Sequence, residues 1–221
     1  MIQPGTKIMI AGDSWGCGEW DNETPHARPH LGIEQYFREY GCNVMNTSIG
    51  GSGNELSTNS IMLLAPWFKP HIILWIQTDP IRNIPWNHVF PETVDDLCNL
   101  QRLHLNNIYD RLNSLGQPIY CMGGCSKLDI SLMSGYTNLM PIIPSIIEFF
   151  GCVSPKFWHS NSWVPNVRLS QSAIDMLLEN TSDPLKILDR KWFFPDGAHP
   201  NRAAHLKLFE HLVQHVDSPN T

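Results

Sequence analysis

The chain has 221 residues, of which 42% are hydrophobic and 16% are charged, and its formal net charge is -6 at pH 7. This composition is typical of a globular protein with a sizeable core, and without repeats, low-complexity tracts or linkers we expect one domain over residues 1–221. The negative charge and the lack of Lys or Arg runs argue against nucleic acid and anionic membranes as partners.

No segment approaches the roughly 20 apolar residues that a transmembrane helix needs. The first six residues lead directly into a predicted strand and leave no room for a signal peptide. As written, the sequence therefore predicts a cytoplasmic protein unless a leader has been removed, and it is compatible with a bacterial or phage-encoded protein. Six cysteines lack the spacing of a disulfide scaffold or a zinc site, which favours buried thiols: Cys17, Cys42, Cys98, Cys121, Cys125 and Cys152.

The first predicted element is a buried strand that starts at Lys7 and ends at Gly12, where the chain turns sharply through Asp13 and Ser14. A helix that began just after this turn would place Ser14 at its N-terminus and at the carboxyl end of a strand. Backbone N–H groups in such a position suit a developing oxyanion. Ser14 is therefore a candidate nucleophile, and the alternative is that it only caps a helix.

The following predicted elements alternate between helices and strands. The strands are expected over 42–46, 71–77 and 118–124, and the helices over 30–40, from the end of the loop over 47–55 to Phe68, and over 92–115. Ser52 or Asn54 would cap the second of these helices. Loops are expected over 16–29, which is polar, over 47–55, which is glycine-rich, and over 81–91. Further on, the pattern predicts helices over 141–150, 170–180 and 201–216 and an irregular insertion over 151–167.

This alternation predicts an α/β fold, namely a three-layer α/β/α sandwich of the flavodoxin-like type with a central parallel sheet of about five strands. The nearly continuous apolar run at 71–77 is typical of a parallel strand that is covered on both faces. Ligands of such sheets bind at the carboxyl ends of the strands. The segments after the four predicted strands should therefore meet at one rim.

A second group of polar residues stands just before the last predicted helix. Asp196 and His199 are three residues apart across a Gly-Ala turn, a spacing that can place a carboxylate against one imidazole nitrogen. A hydroxyl nucleophile needs a base to take its proton, and that base needs a partner to hold its tautomer. Ser14, His199 and Asp196 would fill these three roles, and the alternative for His199 is a structural role.

These motifs resemble those of the GDSL/SGNH hydrolase superfamily, whose members carry a Ser, a Gly, an Asn and a His on four separated blocks. Residues 12–14, Gly-Asp-Ser, match the first block, although Trp15 stands where Leu is more usual. Asp196 and His199 match the Asp-x-x-His of the last block, and Pro200 is also typical of the family. The blocks occur in the family's order and span nearly the whole chain.

The second block of the family matches residues 46–51, with Gly51 at the oxyanion-donor position, or Gly50 if the register slips. The third block departs from the family pattern Gly-x-Asn-Asp. Asp79 aligns with it, but Thr78 stands where the family's Asn donates its side-chain amide to the oxyanion. A Thr hydroxyl is a shorter, single donor.

The resemblance implies a serine esterase of the SGNH type that needs no cofactor or metal. His199, oriented by Asp196, would take the proton of Ser14, which attacks an ester carbonyl. The oxyanion would be held by the N–H groups of Ser14 and Gly51 together with Thr78.

Auxiliary roles fall to residues around this rim. Gln77 or Asn54 could supply an amide to the oxyanion, Asp79 would brace the rim, Arg82 could bind an acidic or hydroxyl-rich substrate, and Asp13 lies next to the nucleophile. The loops over 16–29, 81–91 and 151–167 should decide specificity. Their Trp and His content favours O-acyl groups on a carbohydrate, above all acetyl, over long-chain lipid.

Other interpretations stay open. Residues 12–16 also satisfy Gly-x-Ser-x-Gly, the nucleophile elbow of α/β-hydrolases, but that fold needs several strands before its elbow. A catalytically impaired, glycan-binding domain would explain both the tryptophans and the altered third block. A metal-dependent hydrolase could use His211 and His215, one helical turn apart, although a solvated helix face accounts for both. FMN binding is disfavoured, because no phosphate-cradling run of Ser, Thr and Gly follows the first strand.

Overall fold

A five-stranded parallel sheet forms the centre of the protein. The computed structural model describes residues 2–20, 27–29, 31–79, 93–152, 191–193 and 199–216. Its strands are β1 (Lys7–Ala11), β2 (Gly18–Trp20), β3 (Ala27–Pro29), β4 (Asn43–Asn46), β5 (Ile72–Gln77), β6 (Ile119–Gly123) and β7 (Leu139–Ile143). The sheet has the order β4-β1-β5-β6-β7 with every pairing parallel, while β2 and β3 form a separate antiparallel pair.

Helices cover both faces of this sheet. They are α1 (Ile33–Glu39), α2 (Asn54–Phe68), α3 (Val94–Asn113), α4 (Ile130–Met133), α5 (Ile146–Phe149) and α6 (Arg202–His215). The longer helices pair α1 with α6 and α2 with α3. Within the described ranges, no helix combines the length and the apolar character needed to cross a membrane.

Alternate residues of each strand face the two helical layers. In β5, Leu74 packs in the core cluster that contains residues of α1 and α6, whereas Trp75 packs in the cluster that contains residues of α2 and α3. All six residues of β5 are buried, because a central parallel strand is covered on both sides. The predicted three-layer α/β/α architecture and its parallel sheet are confirmed.

The strand order brings β1 and β5 together as neighbours at the point where the order of the chain reverses. This order, 2-1-3-4-5 among the five parallel strands, is that of flavodoxin-like folds. Ligands bind outside the carboxyl ends of the strands at such a point. The segments that follow β1 and β5 carry Ser14 and Thr78.

The last strand of the central sheet, β7, was not predicted, because a helix was expected over 141–150. Pro141 lies inside β7 and has no N–H to donate, which is tolerated here because β7 is an edge strand. The pairing with β6 shifts register just beside this proline, between Cys121 and Met122. The helical part of the expected segment is limited to α5.

Two further local predictions were wrong. The segment over 16–29, predicted as a loop, contains the short strands β2 and β3, and a turn rather than a helix follows Ser14. Neither Ser52 nor Asn54 caps α2: the N-cap is Gly53, without a side-chain hydrogen bond. Both polar side chains instead bond to distant backbone groups, at Gly12 and Thr78 respectively.

All six cysteines lie in the described ranges, and none of them forms a disulfide. Cys42, Cys121 and Cys125 are buried, while the other three are of intermediate exposure. The predicted loop over 81–91, the insertion beyond Cys152 and the helix over 170–180 lie outside the described residues.

Candidate active site

Ser14 lies on a tight turn that Asp13 organises. The Asp13 carbonyl accepts hydrogen bonds from the N–H groups of Gly16 (3.1 Å) and Cys17 (3.2 Å), and its Oδ1 accepts one from Trp15 N–H (3.0 Å). A side chain at Gly12 would place its Cβ 2.8 Å from both Cβ and O of Ile76 on the adjacent strand. Glycine is therefore required where β1 passes into this turn.

The thiol of Cys17, three residues after Ser14, does not compete with Ser14 as a nucleophile. Burial, reinforced by the nearby charge of Asp13, raises the pKa of Cys17 to about 11. The protonated thiol donates a weak hydrogen bond of 3.6 Å to the carbonyl of Ser14. A thiol is a far poorer nucleophile than a thiolate.

His199 reaches the turn from the other end of the chain. Its Nε2 lies 2.9 Å from Oγ of Ser14, within hydrogen-bond distance. The segment around it is held by a β-bridge between Phe193 and Pro200 and by Asn201, whose Oδ1 caps α6 by accepting from the Ala204 N–H (3.0 Å). This geometry suits a general base for the Ser14 hydroxyl.

An aromatic contact fastens the histidine segment to the nucleophile turn. The rings of Trp15 and Phe193 have centroids 5.9 Å apart, and both side chains are buried in the core. Trp15 thus anchors the nucleophile turn to the core. Asp196, the expected partner of the imidazole, lies outside the described residues.

The second block is bound to both ends of the nucleophile turn. Asn46 Nδ2 donates to the Gly16 carbonyl (2.8 Å), and the Ser52 hydroxyl donates to the Gly12 carbonyl (3.0 Å). Gly51 has φ +80°, a conformation that favours glycine, in a turn closed by the bond from Ser52 N–H to the Ile49 carbonyl. Gly50 and Gly51 are both exposed residues.

Thr78, at the variant position of the third block, is bonded to Asp13. Its Oγ1 donates to Oδ2 of Asp13 over 2.5 Å, and both residues are only 1% exposed. The Thr78 backbone pairs with the Asn54 side chain, which accepts from Thr78 N–H (2.9 Å) and donates to the Thr78 carbonyl (3.1 Å). The single hydroxyl hydrogen that was expected to serve the oxyanion therefore points at a carboxylate.

The other auxiliary candidates are buried or lie outside the described ranges. Gln77 is turned towards α3, where its Oε1 accepts from the Tyr109 hydroxyl (2.7 Å). Burial raises the pKa of Tyr109, which keeps this donor protonated. Asp79 is fully buried at the rim, and Arg82 lies outside the described residues.

One histidine close to the site was missed by the sequence analysis. His205, in the first turn of α6, is 1% exposed, and neither ring nitrogen has a hydrogen-bond partner of normal geometry in the described part of the chain. Burial, and then the nearby His199, lower its pKa to about 4, against a smaller opposing effect of the Gly18 backbone. The available sequence signal was its spacing of three and seven residues from Leu208 and Leu212, which face inward on the same helix.

The described ranges contain no group of three or more His, Cys, Asp or Glu side chains that could hold a metal ion. His211 and His215 stack on each other with ring centroids 4.1 Å apart, and the His211 ring also packs on Phe149. This pair is thus held by packing on one side of α6.

No protein-family model matches the chain, and no curated protein sequence matches it either. Solved structures do match over almost its whole length. TesA has 14% identity and a TM-score of 0.54, with 95% of this chain and 97% of that chain covered. The esterase EstA from Pseudoalteromonas sp. has 13% identity, a TM-score of 0.48 and 95% of both chains covered.

A third match is Axe2, an acetylxylan esterase from Geobacillus stearothermophilus, with 14% identity, a TM-score of 0.46 and coverage of 100% of this chain and 99% of that chain. At such low sequence identities the comparison supports only the fold, and this support comes from the structural similarity to TesA. The chain has a GDSL/SGNH hydrolase-like fold, as its sequence motifs indicated.

Proposed function

We propose that this protein is an ester hydrolase of the SGNH type, with Ser14 as the nucleophile and His199 as the general base. The observation that carries the proposal is the 2.9 Å contact between Oγ of Ser14 and Nε2 of His199. It is supported by the position of Ser14 after β1, at the carboxyl edge of the sheet, where ligands of such folds bind.

In the proposed reaction, His199 takes the proton of Ser14 as Oγ attacks the ester carbonyl. The imidazolium then protonates the leaving alcohol, and the acyl group stays on Ser14. Water attacks this acyl-enzyme with His199 again acting as base, which releases the acid and restores Ser14. Asp196, three residues before His199, is the proposed partner that holds its tautomer.

The proposed oxyanion donors are the backbone N–H groups of Ser14 and Gly51. The bonds from Asn46 to Gly16 and from Ser52 to Gly12, which tie the loop of Gly51 to the nucleophile turn, support this assignment. Loss of one oxyanion donor lowers kcat by about 10²–10³-fold in well-studied hydrolases. An enzyme with two backbone donors and no side-chain amide should therefore be slow rather than inactive.

For the substrate we propose O-acetyl groups on a carbohydrate. The support is compositional: the predicted loops over 81–91 and 151–167 are rich in Trp and His and have no broad run of Leu or Phe. The second candidate function, glycan binding without turnover, is favoured by the bond between Thr78 and Asp13, because it leaves the oxyanion without a third donor.

Steady-state hydrolysis of p-nitrophenyl acetate and p-nitrophenyl octanoate tests the proposal, with Ser14→Ala as the matched control. We expect the wild type to hydrolyse acetate faster than octanoate, and the variant to be slower than the wild type by roughly 10³-fold or more on acetate. Preference for the longer chain would overturn the proposed substrate class. Wild-type rates equal to those of Ser14→Ala on both esters would overturn the esterase and leave glycan binding.

A further inference from the structure

We propose that Thr78 is a positioning residue, which holds Asp13 and through it the turn of Ser14, and that its hydroxyl does not bind the oxyanion. This inference rests on the proposed esterase function. It assigns to the variant position of the third block a role different from the one expected of it.

The first argument is that the Thr78 hydroxyl has a single hydrogen to donate. A Thr hydroxyl has one, and here it is donated to Oδ2 of Asp13 over 2.5 Å. A hydrogen bond to a carboxylate is shorter and stronger than one between neutral groups. Because Asp13 is 1% exposed, water is poorly placed to replace the hydroxyl if it turned towards a substrate.

The second argument is that the backbone of Thr78 is fixed as well. The Asn54 side chain is 1% exposed and pairs with both the N–H and the carbonyl of Thr78. The Asn54 carbonyl in turn accepts from the Ser57 hydroxyl (3.0 Å), which accepts from Nε1 of Trp75 (3.0 Å). Thr78 is thus held on a buried network, which keeps its hydroxyl aimed at Asp13.

The third argument is that Asp13 can pass this constraint on to Ser14. Its Oδ1 and its carbonyl accept from the N–H groups of Trp15, Gly16 and Cys17, the three residues after the nucleophile. Rotation of the Asp13 side chain would change the first of these bonds directly. A small displacement of a reacting group can lower the rate by about 10²-fold. The bond between Thr78 and Asp13 should therefore affect the chemical step rather than substrate binding.

The variants that test this are Thr78→Val, which keeps the shape but removes the hydroxyl, and Thr78→Ser, which keeps the hydroxyl. We expect Thr78→Val to lower kcat by about 10–100-fold at nearly constant KM. We expect Thr78→Ser to recover most of that loss. Equal losses in the two variants would show that packing of the methyl group matters and would overturn the proposal.

A double-mutant cycle with Asp13→Ala separates positioning from oxyanion binding. If Thr78 acts through Asp13, then Thr78→Val changes kcat less than twofold once Asp13 is gone. If its hydroxyl binds the oxyanion directly, Thr78→Val costs the same factor with and without Asp13, which would overturn the proposal. Thermal melts of all four proteins identify any variant that fails to fold.

Should Asp13→Ala not fold, amide hydrogen exchange across residues 14–17 decides the question. Positioning through Asp13 predicts faster exchange in Thr78→Val and wild-type exchange in Thr78→Ser, and unchanged exchange in both would overturn it. The wild type and Ser14→Ala are assayed first. An inactive wild type refutes the esterase and this inference with it, whereas an active wild type with an unaffected Thr78→Val refutes the inference alone.

Discussion

Nε2 of His199 lies 2.9 Å from Oγ of Ser14, although the two residues stand 185 positions apart in the chain. Ser14 follows β1 and His199 precedes α6, and the contact between Trp15 and Phe193 fastens the two segments together. A base and a nucleophile placed in this way act as a unit, so their removal should not have additive effects.

The first prediction concerns this pair. Ser14→Ala and His199→Ala should each lower kcat by roughly 10³-fold or more, because each leaves the attacking hydroxyl absent or unactivated. The double variant should be no slower than the slower single variant within about threefold. Steady-state kinetics on p-nitrophenyl acetate measure this, and multiplicative losses would show that the two side chains act independently.

The second prediction concerns the close approach of two strands. Gly12→Ala should lower the free energy of unfolding by about 1–3 kcal/mol, because its Cβ would lie 2.8 Å from the backbone oxygen of Ile76. Gly50→Ala is the matched control, since its Cβ would enter open space and its φ is not positive. Urea unfolding of both variants checks this, and equal midpoints would refute it.

The third prediction concerns the hydrogen bond between Tyr109 and Gln77. Tyr109→Phe leaves the buried Oε1 of Gln77 without its donor and should cost about 1–2 kcal/mol of stability, with kcat unchanged. Gln77→Leu added to Tyr109→Phe should recover part of this cost, since no buried acceptor is left unpaired. Chemical denaturation gives the stabilities. A large fall in kcat for Tyr109→Phe would mean that the orientation of Gln77 matters to the chemistry.

The fourth prediction concerns acid sensitivity. Burial and then His199 lower the pKa of His205 to about 4, so between pH 6.5 and 4 the unfolded chain binds a proton that the folded chain does not. The stability contributed by neutral His205 is complete above pH 6.5 and is lost as the pH falls towards 4.

His205→Leu should remove this contribution. The wild type should therefore lose about 3 kcal/mol more than the variant on going from pH 7 to pH 4. Urea unfolding at several pH values measures the difference. Parallel pH profiles of the two proteins would show that His205 does not titrate in this range.

Most of the sheet could be predicted from the sequence, because β1, β5 and β6 are apolar runs between turn residues and β4 follows the end of the first predicted helix. The strand that was missed, β7, contains Pro141, and sequence alone does not show that this strand lies at an edge where a missing N–H is tolerated. A turn, and not the start of a helix, contains Ser14, and the form of this turn depends on the Asp13 side chain.

The candidate site residues could be identified from local motifs, but the hydrogen bonds between them could not. Thr78 and Asp13 are 65 residues apart, and Asn54 and Thr78 are 24 apart, so no local pattern indicates that these side chains meet. Sequence therefore indicated the variant third block without indicating where its hydroxyl would point. The pairing of Asp196 with His199 and the role of Arg82 stay predictions.

The measurement that tests the central claim most directly is the intact mass of the protein after exposure to a fluorophosphonate, which reacts with activated serines. Wild type, Ser14→Ala and His199→Ala are compared, each shown to be folded by its thermal melt. We predict one adduct on the wild type and none on either variant. No adduct on folded wild type, or an adduct that persists in Ser14→Ala, would contradict the assignment of Ser14 as the nucleophile.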